Sequence, residues 1–183
     1  MRLFHKKMRT TIILILIFIA AAACTEKSSS TNQMMQQDTK GNPHYSRTDT
    51  TKLNVTDAEW KQILPAELFG VARNKNTERA FTGKYWDHEG IGTYYCAVCG
   101  NELFRSDNKF SSSCGWPSFF ETRRPNACTY VPDNSYGMRR TEVLCSRCDS
   151  HLGHLFDDGP PPTGMRYCMN SISLDFVPDE DHK

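Results

Sequence analysis

Two short motifs limit what this chain can fold into more than any other feature: Cys96-Ala97-Val98-Cys99 and Cys145-Ser146-Arg147-Cys148. A Cys-x2-Cys turn brings two thiolates to bite one metal, and two such turns complete the tetrahedron zinc prefers. The stretch between the pairs is longer than in a compact zinc finger, so a metal here clamps two distant segments. Such a clip constrains the unfolded chain, although the dependence on loop length is weak. The competing readings are two vicinal disulfides or a thioredoxin-like redox pair. Two motifs in one small domain favour structural zinc on Cys96, Cys99, Cys145 and Cys148.

The chain has eight cysteines. Setting aside those four and Cys24 leaves Cys114, Cys128 and Cys168. One pair plus an odd thiol is a redox pattern rather than a disulfide framework. Cys168 precedes an alternating run, Ile172, Leu174 and Phe176, which reads as a strand. Carried backwards, period two puts Arg166, Cys168 and Asn170 on the face those residues bury. A guanidinium beside a thiol favours the nucleophilic thiolate; a Cys packed as a small hydrophobe is the plainer alternative. Cys114 sits in Ser113-Cys114-Gly115-Trp116-Pro117-Ser118-Phe119, where Gly and Pro impose a loop and Trp116 offers a broad aromatic face. In His151-Leu152-Gly153-His154 the imidazoles could join a local zinc site with Cys145 and Cys148. Four thiolates already saturate a structural zinc, however, which leaves both imidazoles free to donate protons near neutral pH.

Around these motifs the chain divides into three parts. Arg2, Lys6, Lys7 and Arg9 precede an apolar run from Thr11 to Ala23, short of the ~20 residues of a membrane span but sufficient for a signal peptide. Ala21-Ala22-Ala23-Cys24 looks like the lipobox of bacterial lipoproteins. We therefore expect a signal peptide over 1–23, acylation at Cys24 and export to a bacterial membrane, facing the periplasm from the outer membrane if the cell is Gram-negative. Residues 24–51 are polar and read as a flexible tether. Residues 52–183 form the folded domain. There Thr56-Asp57-Ala58-Glu59 has the form of a capping box before Trp60, Ile63 and Leu64, and Pro65 ends that helix or begins the next. Beyond Gly70, short aromatic runs (Ala80–Thr82, Lys84–Trp86, Thr93–Tyr95, Glu102–Phe104) alternate with turn residues, so the domain is expected to be mainly β with a short helical N-terminal part. Asp157 to Gly164 makes a stiff turn into the Arg166 strand. The net charge of +1 gives no electrostatic case for nucleic acid.

Taken in order, Phe81-Thr82-Gly83, Cys96-Ala97-Val98-Cys99, Cys114-Gly115-Trp116-Pro117-Ser118-Phe119, Arg140-Thr141-Glu142-Val143, Cys145-Ser146-Arg147-Cys148, His151-Leu152-Gly153-His154 and Arg166-Tyr167-Cys168-Met169-Asn170-Ser171 closely resemble the methionine-R-sulfoxide reductases of the B type. The resemblance runs from about Leu53 to Phe176. It implies two antiparallel sheets clamped by a four-cysteine zinc site, a nucleophile at Cys168 and a resolving thiol at Cys114. It implies a substrate shell of Trp116, His151, His154 and Asn170, with Phe119 and Phe156 also at the substrate and Arg166 near the nucleophile. Cys128 belongs to no matching motif. The implied partners are oxidised proteins carrying methionine-R-sulfoxide and a thioredoxin-like reductant. A zinc-clamped binding module and a general thiol–disulfide oxidoreductase are the rival functions.

Overall fold

Thr56 caps the first helix of the described residues as its sequence suggests: its hydroxyl accepts from the Glu59 N–H, and α1 runs Asp57–Ile63. Pro65 caps α2, Ala66–Ala72. The computed structural model of the chain describes residues 41–180; the signal peptide, Cys24 and the tether up to residue 40 lie outside the described residues. Both helices bury one face, Trp60 and Leu64 from the first segment and Leu68, Val71 and Ala72 from the second. Among the described residues nine strands follow: β1 Gly92–Cys96, β2 Glu102–Arg105, β3 Lys109–Phe110, β4 Ser118–Phe119, β5 Cys128–Asp133, β6 Arg140–Cys145, β7 His151–Phe156, β8 Arg166–Met169 and β9 Leu174–Pro178. They make a three-stranded sheet in the order β2-β1-β9 and a six-stranded sheet in the order β3-β4-β8-β7-β6-β5. All pairings are antiparallel.

The core lies where the sheets meet. Tyr94, Leu103 and Phe104 from the smaller sheet pack with Phe119, Val143, Leu152 and Met169 from the larger one. Each such side chain contributes about 1.5–3 kcal/mol when fully buried.

Three sequence expectations differ from the fold. The strand read from Arg166 to Phe176 is two strands in two sheets, joined by a 3-10 turn at Ser171–Ser173. The Glu78 carboxylate accepts the N–H groups of Ser171 and Ile172, at 2.6 and 3.0 Å, and this local partner turns the chain where period two would carry it straight. Cys168 and Leu174 therefore belong to different sheets, and parity holds only within β8. Next, Ala80–Thr82 and Lys84–Trp86 are turns, not strands. Phe81 has a left-handed φ of 65° and its N–H donates to Gly115 O, so this stretch lies along the Cys114 loop. Finally, residues 42–51, assigned from composition to the tether, are packed. Asn42 donates to Val98 O, Ser46 N to Cys99 O and Tyr45 Oη to Asp175. The buried Arg147 guanidinium holds His44 O, Thr51 O and the Asp49 carboxylate. A polar segment need not bury apolar surface when its backbone finds so many partners.

Candidate active site and four-cysteine centre

The two Cys-x2-Cys turns fold alike. Gly100 N donates to Cys96 O and Asp149 N to Cys145 O, with Gly100 and Asp149 both left-handed, at φ 77° and 57°. Any side chain at Gly100 would meet Ser46 O at 2.6 Å, so the packed N-terminal segment requires glycine there. The four sulfurs lie within 4.8 Å of one another and all four residues are buried. Cys96 Sγ is 3.7 Å from Cys148 Sγ, and Cys99 Sγ is 3.6 Å from Cys145 Sγ. Tetrahedral zinc with ~2.3 Å bonds separates its sulfurs by about 3.8 Å, so the set fits that ion. Burial pushes the Cys99 thiol far up, as expected where a thiolate needs a cation beside it. His151 and His154 stand apart from this cluster.

The second site is assembled by sheet register. Glu142 stands opposite His154, His154 opposite Cys168, and Cys168 opposite Ser118. Residues directly opposite one another project to the same face. The row therefore brings a carboxylate, an imidazole, a thiol and a hydroxyl together from four strands. Phe156 and Arg166 are the next pair on that face, with the guanidinium 4.4 Å from the ring centroid. Phe119, expected at the substrate, pairs with Tyr167 on the opposite face. It is fully buried and stacks on Phe104 at 4.4 Å. Phe119 is a core residue, because one position along a strand reverses the face.

Cys168 opens into a pocket of about 110 Å³ lined by Trp116, Phe156, His154, Asn170, Arg140 and Thr77. Trp116 is fixed by its Nε1–H, which donates to Glu78 O at 3.1 Å. Asn170 is fixed through Nδ2 to Leu152 O and by accepting from Glu78 N. His151 does not line this pocket. It lies edge-on to His154, ring centroids 5.4 Å apart, and is only 2% exposed.

Each imidazole has a carboxylate that the sequence motifs did not assign. His154 Nε2 is 2.8 Å from Asp133 Oδ2, and His151 Nδ1 is 2.7 Å from Glu142 Oε1. Lys75 Nζ donates to the other Glu142 oxygen at 2.7 Å. Burial lowers the His151 pKa. Asp133 is held well below the usual carboxylate range by hydrogen bonds from Ser135, with His154 and Arg140 adding. Asp133 and Thr77 lie far from the motifs in sequence, and only strand pairing and the loop after α2 bring them in. No short-range spacing announced them.

Cys114 Sγ lies 3.6 Å from Cys168 Sγ. The Ser112 hydroxyl is 2.8 Å from Cys114 Sγ, and Ser118 Oγ is 3.5 Å away. The two thiols are within hydrogen-bond reach of each other. The hydrogen bond from Cys168, helped by Ser112 and Ser118, holds Cys114 down to about 4. The same bond, with burial, pushes Cys168 up, and the Arg166 charge only partly opposes it. Arg166 thus favours the Cys168 thiolate as expected, against the opposing effects of burial and of the bond to Cys114. Arg166 is chiefly engaged with Asp158, at 2.7 and 2.8 Å. Cys128, opposite Cys145 on β5, is buried and pushed up by that burial, as befits an inert thiol.

Residues 64–178 match the SelR domain. The chain is 54% identical over 130 residues to the peptide methionine sulfoxide reductase MsrB of Synechococcus sp. (strain RCC307), an alignment that covers 71% of this chain and 96% of that protein. It is 56% identical over 125 residues to the protein of the same name from Thiobacillus denitrificans (strain ATCC 25259 / T1), covering 68% and 95%. With the corresponding protein of Pseudomonas syringae pv. syringae (strain B728a) it shares 54% over 127 residues, 69% and 97% of the two chains.

Proposed function

The chain belongs to the SelR-domain family of peptide methionine sulfoxide reductases, and from that premise we propose that it reduces methionine-R-sulfoxide to methionine with Cys168 as nucleophile. It is an oxidoreductase. The observation that carries the residue assignment is the cross-strand row: the thiol facing the pocket has an imidazole directly opposite and a second thiol 3.6 Å away.

A sulfoxide sulfur becomes electrophilic when its oxygen is protonated or strongly hydrogen-bonded. His154, held by Asp133, supplies that contact. When the proton between the two thiols passes to Cys114, the Arg166 guanidinium is the group that favours the charge on Cys168. Cys168 attacks, the sulfoxide oxygen passes to it, and methionine leaves with its sulfur reduced, so Cys168 becomes a sulfenic acid. The Cys114 thiol then condenses with it, releasing water and forming a disulfide. A thioredoxin-like dithiol exchanges with that disulfide, becomes oxidised and restores both thiols. Trp116 and Phe156 flank the S-methyl group, leaving the oxygen toward His154 and Asn170. A pocket that separates methyl from oxygen at a stereocentre accepts one epimer, and each epimer has its own enzyme. His151 supports His154 from behind.

The four-cysteine centre would hold one structural zinc. Bound there, the ion supplies folding free energy by tying the β1–β2 turn to the β6–β7 turn. The basic and apolar leader supports export and acylation at Cys24, with the recycling dithiol on the same side of the membrane.

Chiral substrates provide the test. The purified chain with dithiothreitol should reduce a peptide methionine-R-sulfoxide and leave the S epimer untouched; equal turnover of both epimers, or of neither, would overturn the reading. Mass spectrometry of the native N-terminus reports on Cys24: an unmodified residue there would rule out the lipid anchor.

A further inference from the structure

The pocket that faces Cys168 is too small to be the whole substrate site. Its roughly 110 Å³ equals the space of about four waters at ~30 Å³ each, enough for the sulfoxide end of one side chain. It opens into a much larger cleft of about 850 Å³, and Thr77, Arg140 and His154 belong to both. That size lies in the range of pockets that hold a whole ligand. One wall of the cleft is the loop after α2; the other is the tip of the β5–β6 hairpin, with Tyr136 and Met138.

The hairpin tip is built to present these two side chains. Tyr136 is 92% exposed and Met138 42%. Tyr136 and Gly137 are both left-handed, at φ 54° and 72°, a costly backbone for a tyrosine. The turn is nevertheless pinned, because Asp133 accepts from Ser135 N, from Arg140 Nη2 and from His154 Nε2. One carboxylate thus sets both the pocket imidazole and the hairpin tip. The cleft wall also holds a buried hydrogen-bonding atom with no partner, His151 Nε2. Its ring donates through Nδ1 to Glu142, so the neutral imidazole leaves Nε2 as an acceptor.

Resting on the reading that this chain reduces methionine sulfoxide, we propose that the cleft holds the polypeptide next to the oxidised residue, with Tyr136 and Met138 packing an apolar or aromatic neighbouring side chain. The occupant is an oxidised polypeptide, as the reductase reading already implies, and the new element is the hairpin contact to the side chain beside the sulfoxide. The argument is continuity: the cleft begins at the pocket that takes the sulfoxide, and its most exposed apolar groups line the direction in which the rest of a peptide must run.

The test compares three substrates with the full chain and dithiothreitol: free methionine-R-sulfoxide, a capped peptide in which the oxidised residue is flanked by Phe, and the same peptide flanked by Gly. Tyr136→Ala, and separately Met138→Ala, should raise KM for the Phe-flanked peptide about fivefold, the scale of one lost aromatic contact. The kcat should stay the same, and the free amino acid should be reduced at the unaltered rate. Parallel loss on all three substrates would make the hairpin structural and overturn the proposal, as would unchanged kinetics on all three. A parent protein that reduces none of them would overturn the reductase reading itself, and the cleft assignment with it.

Discussion

His154 stands directly opposite Cys168 across the β7–β8 pair. Register alone therefore brings an imidazole and a thiol to one face, with Cβ atoms about 4.5–5.5 Å apart in such pairs. Replacing His154 by Gln keeps a polar side chain but removes the proton donor. The expected result is a fall in kcat of about a hundredfold or more with a much smaller change in KM. Asp133→Asn should give a milder loss of the same kind, since Asn still accepts a hydrogen bond but no longer stabilises an imidazolium. Steady-state kinetics on a peptide sulfoxide check both; a pure KM effect would remove His154 from the chemistry.

Cys114 and Cys168 lie 3.6 Å apart, and single-turnover kinetics can tell their proposed roles apart. Only Cys168 lines the pocket, so Cys168→Ser should abolish even a single turnover. Cys114→Ser should release one methionine per chain in single-turnover measurements and then stall with thioredoxin as donor. Loss of that first methionine would reverse the assignment.

Much of this arrangement was legible in the chain. The Cys-x2-Cys pairs, the Thr56 cap and the Arg166–Cys168 parity are local patterns, and local patterns survive into the fold. What escaped depends on partners distant in sequence. Glu78 turns the chain at Ser171 although the alternation continues to Phe176, and Asp133 reaches His154 only because β5, β6 and β7 pair. Phe119 went to the core because Ser118, one residue earlier, took the side facing Cys168. A motif identifies a segment, whereas the face each residue takes is set by register.

Removing one clamp cysteine should cost folding before it costs chemistry. Cys148→Ser leaves three thiolates buried without a complete tetrahedron, and structural zinc contributes on the order of 10 kcal/mol to such sites. Elemental analysis should find about one zinc per chain in the parent and none in the variant, whose thermal transition should broaden or disappear. An unchanged transition in a metal-free variant would contradict the clamp.

Acid should weaken the fold in two steps. Burial sets the folded pKa of His151 below its ordinary 6.5, and hydrogen bonds from Ser135 set that of Asp133 below 3.8. Both folded values lie under the unfolded ones, so each contribution is complete above the unfolded value and is lost as pH falls through the folded one. Denaturant midpoints should decline first below pH 6.5 and again below 3.8. His151→Gln should flatten the first decline and leave the second; a first decline that persists in this variant would assign it elsewhere.

Arg147 links the metal turn to the N-terminal segment. It lies between two clamp cysteines and is buried, with hydrogen bonds to His44 O, Thr51 O, Cys99 O and the Asp49 carboxylate. Bonds made by a charged donor contribute about 1.5–3 kcal/mol each, and without them the polar residues 42–51 have little apolar surface to keep them in place. Arg147→Gln should therefore free this segment while the sheets stay folded. Limited proteolysis should cut the variant within 42–51 much faster than the parent, at temperatures where both keep their near-ultraviolet circular dichroism. Equal cleavage rates would mean that Asn42, Tyr45 and Ser46 hold the segment on their own, because their bonds to Val98, Asp175 and Cys99 do not pass through the guanidinium.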